Sequence, residues 1–117
     1  MNIKPEQMKI SAEAAEAMLK ALANRHRLMI LCQLVDRERS VGELADFLSL
    51  RDSTVSQHLA VLRRDGIVTA RREAQTLWYA ISSAPARELV EALYRIYCGS
   101  ARSCKTTGKN KTRTART

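Results

Sequence analysis

The sequence has no apolar run approaching the roughly 18 residues that a membrane-spanning helix needs, which excludes a helical integral membrane protein. Its opening, MNIKPEQMKI, lacks the apolar stretch of a signal peptide, so the expectation is a chain that is not exported and works in the cytoplasm. It has no C-x-x-C pair and no glycine-rich phosphate loop, and only His26 and His58 could serve as a base, so a small thiol enzyme is poorly provided for. Three cysteines are an odd count in a chain expected to stay where thiols are reduced; they are no disulfide framework, and any bridge between them would be a switch. No internal repeat is visible, and 117 residues suffice for one domain with a modest core.

Acid is missing from one end altogether. From Gly99 to Thr117 there are six cations, Arg102, Lys105, Lys109, Lys111, Arg113 and Arg116, and no carboxylate; the net charge of +8 therefore leaves only +2 for residues 1–98. A polyanionic partner must be argued from where the body places its charge, not from the total. The end segment, residues 99–117, has almost no large apolar residue to offset the entropy of ordering, which predicts a disordered basic tail after a domain spanning 1–98.

What is present within 1–98 is a sequence of short periodic segments. Ser11 to Leu22 places Ala12, Ala15, Leu19 and Leu22 on one helical face with Ser11 as a cap, and Asn24 to Val35 repeats the pattern with Leu28, Leu31, Cys32 and Val35 behind an Asn24 cap. Ser40 to Leu50 aligns Val41, Leu44, Ala45 and Leu48; Arg51 to Gly66 aligns Val55, Leu59 and Leu62. Only about four residues, Ser49 to Asp52, separate these two, which is the connection of a helix-turn-helix. The start of the second helix is ambiguous, since Asp52 or Ser53 can cap it and Thr54 with Gln57 matches a capping box. After Gly66 the period turns to alternation through Ile67 to Ser82, a β-hairpin with a charged tip at Glu73 to Gln75. Pro85 opens a last helix that carries Leu89, Leu93 and Ile96 on one stripe and Val90, Leu93 and Tyr97 on an overlapping one, and ends at Gly99, with Cys98 in its final turn. The fold class expected is mainly α with a small β element (α+β): a winged helix-turn-helix of about five helices plus a hairpin wing.

Once Val55, Leu59 and Leu62 are assigned to the core, the second helix of the motif is left with Ser53, Thr54, Ser56, Gln57 and His58 toward its start and Arg63 and Arg64 at its end. Short donors and acceptors followed by cations suit a major groove: Gln can pair with adenine, hydroxyls reach bases or phosphates, and the helix N-terminus attracts phosphate. Arg71, Arg72 and Gln75 lie on the hairpin, where a wing would reach the backbone. Each residue alone could equally be solvating an exposed helix, and His58 could as easily satisfy a neighbouring side chain; the constellation points to double-stranded DNA.

The stretches ALANRHRLMILCQL, SVGELADFL and STVSQHLAVLRRDGIVTARREAQTLWYAI resemble, in order and spacing, the ArsR/SmtB family of bacterial winged-helix regulators, over about residues 12–98. The resemblance implies a homodimer built on the first and last helices, a repressor that reads its operator through Ser53 to Arg64 and the wing at Arg71 to Thr76, and an inducer that releases it. The cysteine motif of metal-sensing members falls on SVGEL, with Ser40 and Gly42 where thiolates would stand, and the last helix offers Glu88 and Glu91 without histidine, so no metal and no cofactor is expected. The closer resemblance is to the sulfide- and persulfide-responsive, BigR/HlyU-like branch, whose cysteine contexts match ILCQL at Cys32 and LYRIYC at Cys98. It implies that these two thiols form a disulfide or polysulfide bridge on exposure to reactive sulfur species or oxidants, with loss of operator affinity. Residue chemistry alone does not select that role, because an apolar helix and a helix C-terminus both disfavour a thiolate. Cys104, outside the matched region, could compete for Cys98. A winged helix that binds DNA constitutively or displaces another regulator, with inert cysteines, is the other reading of the same residues.

Overall fold

A computed structural model describes residues 4–99; the expected basic tail and Cys104 lie outside the described residues. The chain runs α1 (Pro5–Leu22), α2 (Arg25–Leu34), β1 (Arg39–Ser40), α3 (Val41–Leu48), α4 (Asp52–Arg64), β2 (Val68–Glu73), β3 (Thr76–Ile81) and α5 (Ala84–Cys98). The three strands form one antiparallel sheet in the order β1-β3-β2. The winged helix-turn-helix is therefore present, with five helices and a wing.

Local chemistry accounts for the boundaries, and it corrects three of the sequence expectations. α1 starts at Pro5 rather than near Ser11, because proline at the first helical position gives up no needed hydrogen bond and presets φ. α2 begins after Asn24, whose side chain accepts from the Arg27 N–H, as its composition implied. The capping box sits on α3, not α4: Ser40 Oγ accepts from the Glu43 N–H at 3.2 Å, and Glu43 Oε1 accepts from the Ser40 N–H at 3.2 Å. α4 has no side-chain cap at all; Arg51 is its N-cap and Asp52 its first residue. Ser49 closes α3 in the left-handed region at φ 57°, and Gly66 leaves α4 at φ 74°, where glycine carries no Cβ penalty. Ser83 caps α5 by accepting from the Ala86 N–H.

One core organises all of this. Ile30, Leu31, Leu34, Leu44, Val55, Leu59, Leu62, Ile67 and Val90 are its largest fully buried side chains, so the inward triad expected for α4 is buried as read. The faces read on α1 and α5 are divided: Leu22 and Val90 are buried, with Ala21 and Ala86, while Leu19 is 57% exposed, Ile96 69% and Tyr97 79%. The exposed members of those stripes face away from this chain's own core. β1, two residues long, leaves no signal in the sequence because nothing in Arg39–Ser40 alternates; it exists by pairing, Arg39 with Tyr79 and Ser40 with Trp78.

Candidate nucleic-acid interface and thiol site

α4 turns its buried triad inward, and 3.6-residue periodicity then sets the rest of its surface. Ser53, Ser56, Gln57, Arg63 and Arg64 are exposed, together with Ala60 between them, whereas Thr54 and His58 are half-buried along one flank. Ala60 is not polar and does not stand out in the sequence beside the polar residues of this face. Its signal was available in the spacing, since 53, 56, 57, 60, 63 and 64 share one face. A methyl at the centre of that face lets a duplex approach closely and can contact a thymine methyl. Arg51, exposed at the N-cap, adds a cation at the positive end of the helix.

His58 is taken up by the protein itself. Its ring meets that of His26 edge-on with centroids 5.6 Å apart, joining the start of α2 to α4. Burial first, then the charges of Arg27 and His26, push its pKa below the ordinary histidine value, so the neutral ring is favoured. Of the two cations closing α4, Arg64 pairs with Asp65 at 3.3 Å while Arg63 stays exposed.

The wing is a hairpin in which Val68 to Glu73 pair with Ile81 to Thr76, leaving Ala74 and Gln75 as a two-residue turn with Ala74 at φ 58°. Arg72 and Gln75 are exposed. Arg71 is not simply presented to solvent. Its Nε lies 3.0 and 2.9 Å from the two carboxylate oxygens of Glu38, its Nη2 2.8 Å from Glu38 Oε1, and its Nη1 3.3 Å from Glu73 Oε1. The hydrogen bond from Arg71 holds the Glu38 carboxyl below its usual range, and the reciprocal bond raises Arg71. Glu38 lies 33 residues from its partner, a separation at which no local pattern signals the pair.

Cys32 lies on the side of α2 that faces α5. A cavity of about 540 Å³ opens there, lined by Cys32, Val35, Asp36 and Arg39 on one wall and Val90, Glu91, Tyr94 and Arg95 on the other. Burial raises the pKa of the half-buried Cys32 thiol. Arg87 of α5 donates to the carbonyl of Val35 at the end of α2, which ties the two cavity walls together. Cys98 is the last residue of α5, half-exposed, one turn beyond Tyr94 and outside the lining of the cavity. Among the described residues, no three His, Cys, Asp or Glu side chains gather as a metal site, and no helix is long and apolar enough to cross a membrane.

Residues 18–70 match the family described as bacterial regulatory proteins of the arsR family. The transcriptional activator HlyU of Vibrio cholerae is 50% identical over 93 residues, covering 80% of this chain and 86% of that one. The chain belongs to the ArsR family. A second relative, the biofilm growth-associated repressor of Agrobacterium fabrum, is 47% identical over 94 residues, 80% of each chain. Among solved structures, reduced HlyU from Vibrio cholerae superposes with a TM-score of 0.77 at 50% identity, over 80% of this chain and 98% of that one. The homodimeric winged helix-turn-helix DNA-binding domain of Mb0332 from Mycobacterium bovis gives 0.68 at 29% identity, over 82% and 89%. The protein is thus a winged-helix transcriptional regulator of this family and not an enzyme.

Proposed function

We propose that this ArsR-family regulator is a homodimeric repressor whose hold on operator DNA is weakened when Cys32 and Cys98 become joined by a disulfide or polysulfide bridge. The observation that carries the sensing part is the cavity: the Cys32 thiol is half-buried but opens into a space of about 540 Å³ between α2 and α5, so a small oxidant or persulfide has a route to it. Cys98 ends the same α5 helix that forms the opposite wall. One relative is described specifically in its reduced form, which fits a protein whose thiol state matters. DNA is read by the outer face of α4, Ser53, Ser56, Gln57, Ala60, Arg63 and Arg64, flanked by Thr54 and His58, with Arg71, Arg72 and Gln75 from the wing.

The sulfur chemistry balances without a further oxidant. A persulfide R–S–SH transfers its outer sulfur to one cysteine, releasing R–SH; the second cysteine then displaces that sulfur as hydrogen sulfide and closes a Cys–S–S–Cys bond, or, where both cysteines have received a sulfur, one persulfide displaces the outer sulfur of the other as hydrogen sulfide and closes a Cys–S–S–S–Cys bridge. Bridging requires the two Cα atoms to come within about 7 Å, and the closed bond would fix the end of α5 against α2. The helix-turn-helix follows α2 after only a turn and the two-residue β1, and half-sites in a dimer's operator are read about one helical turn apart, so a modest change in the angle between protomers removes base contacts from both.

The test is mass analysis of the protein before and after a persulfide donor, paired with gel shifts on operator fragments. A mass change localised to a Cys32–Cys98 linkage, with release of DNA that is lost in Cys32→Ser and in Cys98→Ser, is expected. Normal release by either variant overturns the mechanism and leaves a winged helix with inert cysteines.

A further inference from the structure

We infer that Glu38 is a positioning residue for DNA binding: its carboxylate holds the Arg71 guanidinium against the body of the protein, and a DNA phosphate must displace it before the wing engages. This rests on the reading of the wing as a DNA-contacting element given above.

The grip is bidentate. Nε and Nη2 of Arg71 both face Glu38, at 2.8 to 3.0 Å, and the remaining Nη1 is 3.3 Å from Glu73, so every nitrogen of the guanidinium is directed at a carboxylate. Such a fork-to-carboxylate fit is the same one that would recognise a phosphate. Glu38 is itself kept in place by its neighbour. Arg39 donates from Nε to the Gln33 carbonyl at 2.8 Å and reaches Asp36 at 3.4 Å, which pins the turn between α2 and β1. The β1 strand then continues the row Ser40, Trp78, Arg71 across the sheet, so Glu38 is presented beside the wing by the sheet register. Residues with 53% and 36% side-chain exposure at this contact leave both groups within reach of a ligand, so a surface phosphate can compete. An exposed pair of this kind adds little stability. Its consequence is selective: the wing's net positive charge is masked in the free protein, and loose phosphate attraction to DNA of any sequence is reduced until recognition-helix contacts bring the wing close.

The experiment measures affinity for a mixed-sequence duplex by fluorescence anisotropy across a salt series, using the full chain. Glu38→Gln is expected to tighten binding about three- to tenfold at low salt and to steepen the slope of log affinity against log salt by about one, the signature of one added phosphate contact. Glu38→Asp, which keeps the charge, should stay near the parent. In an Arg71→Ala background, Glu38→Gln should have no effect; an undiminished gain there means that Glu38 acts only through its long-range field and overturns the inference. No change with Glu38→Gln, while Arg72→Ala weakens binding, overturns it while leaving the wing as a DNA contact. If Arg72→Ala and Arg71→Ala with Glu38→Gln all leave affinity and slope unchanged, the wing does not touch DNA and both readings fall.

Discussion

Cys32 is held by two opposing conditions. Packing against the hydrophobic core removes water from the thiol and raises its pKa, while the cavity keeps one side of it reachable. Thiolate is the reactive species, so at a given pH Cys32 has less of it than an exposed cysteine and should react more slowly. The sign is set by the raised pKa: reactivity increases as pH rises, by about tenfold per unit while the thiol remains mostly protonated. Alkylation by iodoacetamide in a Cys98→Ser, Cys104→Ser background, followed by mass analysis between pH 7 and pH 9, should show that rise and a rate below that of free cysteine throughout. A flat or faster profile would mean that an unrecognised cation lowers the pKa.

At the scale of elements, the capping box on α3 carries more consequence than its length suggests. Ser40 is at once the N-cap of α3 and the second residue of β1, so one residue ties the first helix of the DNA-binding motif to the sheet that bears the wing. Ser40→Ala removes the acceptor for the Glu43 N–H and should cost about 1 kcal/mol. For a domain of this size that corresponds to a drop of roughly 4–8 °C in Tm, read by circular dichroism; Ser40→Asp, which can still cap, should recover most of it. The position is also where the metal-sensing pattern would place a thiolate, and here it serves helix geometry instead. The spacing of Ser40 and Glu43 was legible in the sequence. Thr54 and Gln57 match the same pattern on α4 but lie inside the helix.

For the whole molecule, α1 and α5 leave apolar side chains uncovered by the chain's own core. Leu19, Leu89, Ile96 and Tyr97 stay exposed in the single chain, and a homodimeric relative shares its fold. If these helices form the two-fold interface, Ile96→Glu together with Tyr97→Glu places charges in it and should shift the protein to monomer in sedimentation, with the folded core unaffected because neither side chain belongs to it. Operator affinity should fall by more than tenfold, since a monomer reads one half-site. A dimer that persists in this variant would place the interface elsewhere.

Residue patterns by themselves determined the order of elements, the inward triad of α4, the Asn24 cap and the outward polar residues of the recognition helix, because helical periodicity and capping are local properties that a few neighbours impose. Resemblance to a branch of the family, not pattern, singled out the contexts of Cys32 and Cys98. Tertiary structure alone decided that Arg71 is gripped by a carboxylate far away in the chain, that His58 meets His26, that Cys32 opens into a cavity walled by α5, and that part of the stripes of α1 and α5 faces outward. Each of these depends on which surfaces meet after folding, and a periodic pattern records that a face is apolar without recording what it meets.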